Sequence, residues 1–186
     1  VKSLRDDIDR GARYVGPMSR RAAVEAAEAV TMATSLRTCT QRLSEASRET
    51  PCALAELGRC RAPCTGPAAF AAYQLSVDAA RAALSYAPSI VVSAVMAKIE
   101  GLSSEQRFED AAQWRDRVDS FLRASERAQN HRALAATGEL VAAEPDDSGG
   151  WTVHVVRHGR LAGVASCPRG GDPRATVAAA IATAEH

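Results

Sequence analysis

The sequence predicts a mainly α chain ending in a small α+β unit, and three observations carry that expectation. Alanine-rich stretches between Ser19 and Leu122 place apolar residues three and four apart, the period of a helix with one buried face. From Glu139 the period falls to two, with turn residues between short runs, as in antiparallel strands. Four of the five cysteines fall in one window, Cys39 to Cys64, with twelve, seven and three residues between successive members. The expected architecture is a helical domain organised around a four-cysteine metal or cluster site, then a helical hairpin, then an antiparallel β-hairpin sheet with one helix.

Residues Val1 to Met18 read as a short polar strand or loop closed by a Gly16-Pro17 turn. Ser19 can cap a helix running to Leu36, with Ala22, Ala26, Ala29, Val30 and Ala33 on its apolar face. This helix delivers Cys39. The polar run between Cys39 and Cys52 ends at Pro51 and reads as a loop or frayed short helix. Cys60 and Cys64 are one helical turn apart, and Pro63 between them predicts a tight turn.

Gly66-Pro67 opens the next helix, with Phe70, Tyr73, Leu75, Val77, Ala80 and Leu84 as its apolar side. From Pro88 a hairpin is expected. Its first helix carries Ile90, Val91, Val95, Ile99 and Leu102, its turn lies at Gly101–Ser104, and Phe108, Ala111, Ala112, Trp114, Val118, Phe121 and Leu122 line the second. Arg123 to Ala136 is polar and reads as a frayed end or linker. Strands are expected over Glu139–Glu144, Trp151–Arg157 and Leu161–Ser166. His158-Gly159 forms the two-residue turn between the last two, and Asp172-Pro173 starts a final helix reaching Glu185.

A window of four close cysteines has three readings: a metal or cluster site, two disulfides, or unpaired core thiols. Thiolates are soft ligands that suit zinc or iron-sulfur, and spacing does not choose between these two. Cys167 lies far downstream and reads as unrelated, so serine there is expected to be silent. The chain lacks a basic-apolar leader, and its longest apolar run, near Ile90–Ala97, is too short to span a bilayer, so the expected location is cytoplasmic, with no membrane partner.

A balance of 23 basic and 22 acidic residues excludes a general electrostatic pull on nucleic acid. Any DNA contact must be local. The window from Arg37 to Arg61 holds five arginines against three glutamates, which makes Arg37, Arg42, Arg59 and Arg61 the candidates for phosphate. The same excess also suits a solvated face that balances thiolate charge. His154 and His158 are expected on an exposed strand face and in a turn, without an acidic partner, so no catalytic residue is assigned.

The run Arg37, Cys39, Cys52, Arg59-Cys60-Arg61-Ala62-Pro63-Cys64, Gly66 and Tyr73 resembles the cysteine-rich region of UvrC, the excision-repair nuclease subunit, and of its smaller relatives. The resemblance implies that Cys39, Cys52, Cys60 and Cys64 hold a [4Fe-4S] cluster. Zinc is the alternative. Tyr14, Gly16 and Pro17 stand where such proteins close a GIY-YIG nuclease domain, which implies that residues 1–18 are the tail of one and that its catalytic groups come earlier.

Phe108-Glu109-Asp110-Ala111-Ala112-Gln113-Trp114-Arg115-Asp116 resembles the F-E-x-A-A-x-x-R-D core of the UVR hairpin, by which UvrC engages a like hairpin on UvrB. That implies partner contacts at Phe108, Glu109, Ala111, Ala112, Arg115 and Asp116. The opposing reading packs the hairpin on the cysteine domain. Arg157, Gly159, Leu161 and Gly163 are similar to the opening hairpin of the RNase H-like endonuclease domain of UvrC, without counterparts for its metal-binding carboxylates.

The resulting partition is 1–18 nuclease tail, 19–87 cysteine-rich iron-sulfur domain, 88–134 UVR-like hairpin and 135–186 a truncated RNase H-like start. The function implied is a non-catalytic cluster and protein/DNA-interaction portion of a UvrC-like DNA-repair nuclease, such as an exonuclease/GIY-YIG fusion. The alternative is a zinc-stapled helical scaffold with no DNA role.

Overall fold

The computed structural model describes residues 13–185. Most of the expected nuclease tail therefore lies outside the described residues, and Arg13–Met18 form no helix or strand. Among the described residues there are six α-helices and one three-stranded antiparallel sheet: α1 Arg20–Thr34, α2 Ala53–Glu56, α3 Pro67–Ser85, α4 Ser89–Ser104, α5 Phe108–Ala136, β1 Glu139–Pro145, β2 Trp151–Arg157, β3 Arg160–Cys167 and α6 Pro173–Thr183. The expected mainly helical class with a small α+β end is observed. Two compact units divide between Arg127 and Ala128.

In the first unit Ser19 Oγ accepts a hydrogen bond from the Ala22 N–H, which caps α1 as expected. Alanines dominate the buried side of this helix, at positions 23, 26 and 29. Small side chains let neighbouring helices come close, and one core joins Ala26, Ala29 and Val30 of α1, Ala80 and Ala83 of α3, Val91 and Val95 of α4, and Val118 and Phe121 of α5. Polar ties reinforce the α1–α5 contact: Ser120 Oγ donates to Glu25 at 2.7 Å, and Arg117 pairs with Glu28 while stacking 4.7 Å over the Trp114 ring. The Ser120 and Arg21 hydrogen bonds hold the Glu25 carboxyl below the usual carboxylate range. The hairpin helices are thus part of the same core as α1 and α3 up to the unit boundary, the arrangement that the opposing reading of the hairpin anticipated.

Several expectations shift. The hairpin turn falls at Glu105–Arg107, because Gly101 stays helical and Gln106 takes the left-handed conformation, φ 60°, that ends the helix; the Arg107 N–H then reaches back to the Leu102 carbonyl at 2.9 Å. Arg123–Ala136 is not frayed: it continues α5, and as expected of a connecting segment it contains the boundary between the two units. No glycine or proline interrupts it, an Asp119–Arg123 pair spans one turn, and Ala124, Ser125 and Ala128 are buried on one side. Leu75, Phe108 and Leu122, expected on apolar faces, are exposed at 69%, 65% and 41%. The buried stripe of α3 runs instead through Tyr73, Ser76, Ala80 and Ala83, which turns Leu75 outward. Phe108 begins α5 and lies outside the core cluster, while Leu122 falls one residue off the Val118–Phe121 stripe.

The second unit is a meander of order β1-β2-β3. Val153 and Val155 of β2 are buried against Ala180 of α6 and the Ala184 that follows it, with Val141, Ala162, Ala165, Val177 and Ile181 around them. His158 and Gly159, φ 49° and 76°, make the two-residue turn, which requires positive φ at both positions. Gly163 is needed for close approach: a Cβ there would sit 3.3 Å from the Ala184 Cβ. Asp172 caps α6 through the Arg174 N–H at 2.9 Å, and the helix stops at Thr183, short of Glu185. Cys167 at the end of β3 is 1% exposed, so it is a core residue of this unit.

Candidate functional site

The cysteine window lies in the first unit between α1 and α3. Ser35, φ 54°, ends α1 and releases the chain into an irregular segment. Its only α-helix, α2, is four residues long, begins after Cys52 and buries none of its side chains. Ala62, φ 49°, then leads into a single 3₁₀ turn, Pro63–Thr65, where Pro63 and Cys64 are buried. The tight turn expected at Pro63 is therefore present.

All five cysteines are unpaired. Cys39 and Cys52 are exposed, Cys60 is half-buried and Cys64 is buried. Among the described residues no three His, Cys, Asp or Glu side chains converge as a metal-holding group. In kind the donor set suits a four-thiolate centre: four free, soft sulfurs on one loop. In arrangement, Cys64 is held in the core while Cys39 and Cys52 remain on the surface.

Few contacts order this loop. The Glu49 N–H donates to the Cys64 carbonyl at 2.8 Å, which ties the long arm to the 3₁₀ turn. Arg48 donates to the Glu45 and Ser47 carbonyls. At the entry, the Arg37 N–H donates to the hydroxyl of Tyr73 at 3.1 Å. Tyr73 is buried in α3, as its place on the apolar face predicts, and its hydroxyl meets the backbone where the chain enters the cysteine segment. The Arg37 guanidinium donates to Cys39 Sγ at 3.2 Å and to the Gln41 carbonyl at 2.6 Å. Its hydrogen bond holds the Cys39 thiol below the usual thiol range.

The other sequence candidates divide by burial. Arg42, Arg59 and Arg61 are exposed on the loop, whereas Arg37 is half-buried and engaged by its neighbours. On α5, Glu109, Arg115 and Asp116 are exposed beside Phe108, Ala112 is half-buried, and Ala111 is 7% exposed and turned inward. Arg115 hydrogen-bonds its neighbour Asp116 at 3.2 Å.

In the second unit His154 does have an acidic partner, contrary to expectation: Nε2 lies 3.1 Å from Glu144 Oε1. The register Ala142↔His154 and Glu144↔Thr152 places them diagonally on one sheet face, a relation that only strand pairing reveals. Arg157 carries a role that motif matching missed. Its guanidinium pairs with Glu139 and donates to the carbonyls of Ile181, Ala184 and Glu185, closing the C-terminal end of α6. Among the described residues no single helix is long and apolar enough to cross a membrane.

Comparison with known proteins gives the family. Residues 1–83 match the family described as UvrC/Cho excinuclease, middle domain. The chain is 37% identical over 169 residues to a Mycobacterium tuberculosis protein provisionally named a bifunctional exonuclease/endonuclease, an alignment covering 89% of this chain and 26% of that protein. It is 34% identical over 142 residues to the UvrABC system protein C of an Anaeromyxobacter species, covering 76% and 20%. With the protein of the same name from Rhodopseudomonas palustris it shares 38% over 110 residues, covering 59% and 16%. The chain thus spans about a quarter or less of these relatives' length. No solved structure matches. Since α1, the whole cysteine loop and most of α3 lie inside the matched residues, the chain belongs to the UvrC-like family and carries a UvrC/Cho excinuclease middle domain in residues 1–83.

Proposed function

We propose that this chain is the non-catalytic iron-sulfur and interaction portion of a UvrC-like DNA-repair nuclease, working in the bacterial cytoplasm. The observation that carries the reading is the window of four unpaired thiols inside the matched middle domain. Cys39, Cys52, Cys60 and Cys64 would hold a [4Fe-4S] cluster, which when bound supplies a rigid inorganic cross-link between distant parts of the loop. The loop's own physics supports this. Ordering each residue costs about 1–2 kcal/mol of backbone entropy, and α2 and its flanks bury almost no apolar surface to offset it. Iron–thiolate bonds are a source of order that the side chains do not provide.

Around that centre the exposed guanidiniums of Arg42, Arg59 and Arg61 meet DNA phosphates. The exposed start of α5, with Phe108, Glu109, Arg115 and Asp116, engages a UvrB-type hairpin. Cleavage belongs to nuclease domains elsewhere in the parent protein. The test is metal analysis of anaerobically purified protein. Expected are the brown colour of thiolate-bound iron and about four iron and four sulfide per chain. A colourless protein with stoichiometric zinc, or with Cys39, Cys52, Cys60 and Cys64 joined as disulfides, overturns the reading.

A further inference from the structure

We infer that Arg37 is a positioning residue for Cys39, itself held in place by Tyr73; the inference rests on the cluster reading above. Three contacts define it. The Arg37 backbone N–H is anchored on the Tyr73 hydroxyl at 3.1 Å, and Tyr73 is 7% exposed within the core side of α3. One guanidinium nitrogen of Arg37 donates both to Cys39 Sγ at 3.2 Å and to the Gln41 carbonyl at 2.6 Å. Two hydrogen bonds, one at the backbone and one at the guanidinium of Arg37, joined through its side chain, therefore link the buried Tyr73 to the sulfur of an otherwise exposed cysteine.

This assignment separates Arg37 from the other loop arginines. Arg42, Arg59 and Arg61 are exposed and available to phosphate, whereas the Arg37 guanidinium is spent on the cysteine segment. It also explains why the ring at position 73 carries a hydroxyl. Phenylalanine would fill the same volume, but the Arg37 N–H would lose its acceptor at the point where the chain leaves α1. A cationic donor beside a thiolate sulfur stabilises negative charge on it, which favours ligation and raises the reduction potential of a sulfur-ligated centre.

The experiment uses the chain reconstituted anaerobically with iron and sulfide, as wild type, Arg37→Gln, Arg37→Lys, Tyr73→Phe and the control Arg42→Gln. The readouts are iron retention against a chelator and the reduction midpoint. Arg37→Gln and Tyr73→Phe are expected to retain iron about 10- to 100-fold less tightly. Arg37→Gln moves the midpoint to more negative values, and Arg37→Lys, which keeps a charged donor, recovers most of that shift. Arg42→Gln changes neither. A merely structural Arg37 would alter stability and leave the midpoint alone. Arg37→Gln and Tyr73→Phe that match wild type in both readouts overturn the inference and leave the cluster reading intact. A wild-type chain that takes up no iron and sulfide overturns both. Should Arg37→Gln fail to fold, the volume-conserving Tyr73→Phe decides by iron retention.

Discussion

Two phenylalanines on α5 separate surface from core in one experiment. Phe108 is 65% exposed, so about a third of its side chain is removed from water. Full burial of a phenylalanine contributes about 1.5–3 kcal/mol, and Phe108→Ala should therefore cost about 0.5–1 kcal/mol of stability. Phe121 is 0% exposed within the core shared by α1, α3 and α4. Its truncation leaves a cavity as well as losing transfer energy, for about 3–5 kcal/mol. Urea unfolding followed by far-ultraviolet circular dichroism reads both, because most of the helix belongs to the first unit. A pull-down with a UvrB-type hairpin then tests the exposed ring. Phe108→Ala should abolish capture while its unfolding midpoint stays near wild type. If Phe108→Ala destabilises the protein as much as Phe121→Ala does, the ring is packed internally and the burial argument is wrong; if capture is unchanged, the interaction reading of α5 falls.

Two further outcomes concern the second unit. Cys167→Ser, neutral on the sequence view, should destabilise this unit by about 1–2 kcal/mol, since a buried thiol with only a weak 3.9 Å contact to the Pro168 carbonyl is replaced by a hydroxyl that needs a partner; an unaltered unfolding midpoint would refute this. Arg157→Ala should cost about 2–3 kcal/mol, because the Glu139 carboxylate and three carbonyls at the end of α6 lose a charged donor together. Hydrogen exchange of the last turn of α6 should speed up while α1 and α4 are unaffected. Unchanged exchange there would remove Arg157 from its capping role.

Much of the site was legible in the chain itself, for identifiable reasons. Ser19, Asp172-Pro173 and His158-Gly159 act through their own backbone neighbours, so the starts of α1 and α6 and the β2–β3 turn were readable locally. The cysteine window was readable because thiol spacing is a linear property. Which side of a helix is buried was only partly readable: Leu75 and Phe108 fit an apolar pattern, yet the neighbouring helices cover other positions. Gln106 as a helix terminator carried no signal, since a non-glycine residue adopts positive φ only when its surroundings hold it there.

Periodicity, caps and the run of cysteines determined by themselves that this is a helical chain with a thiol-rich loop and a small terminal sheet, because each of those features depends on residues close in sequence. Only the folded structure decided that Tyr73 holds Arg37 and Arg37 holds Cys39, that Arg157 closes α6, that His154 faces Glu144, and that the hairpin helices share a core with α1. These are meetings between residues distant along the chain. Such meetings depend on how helices and strands pack, and local pattern does not encode that.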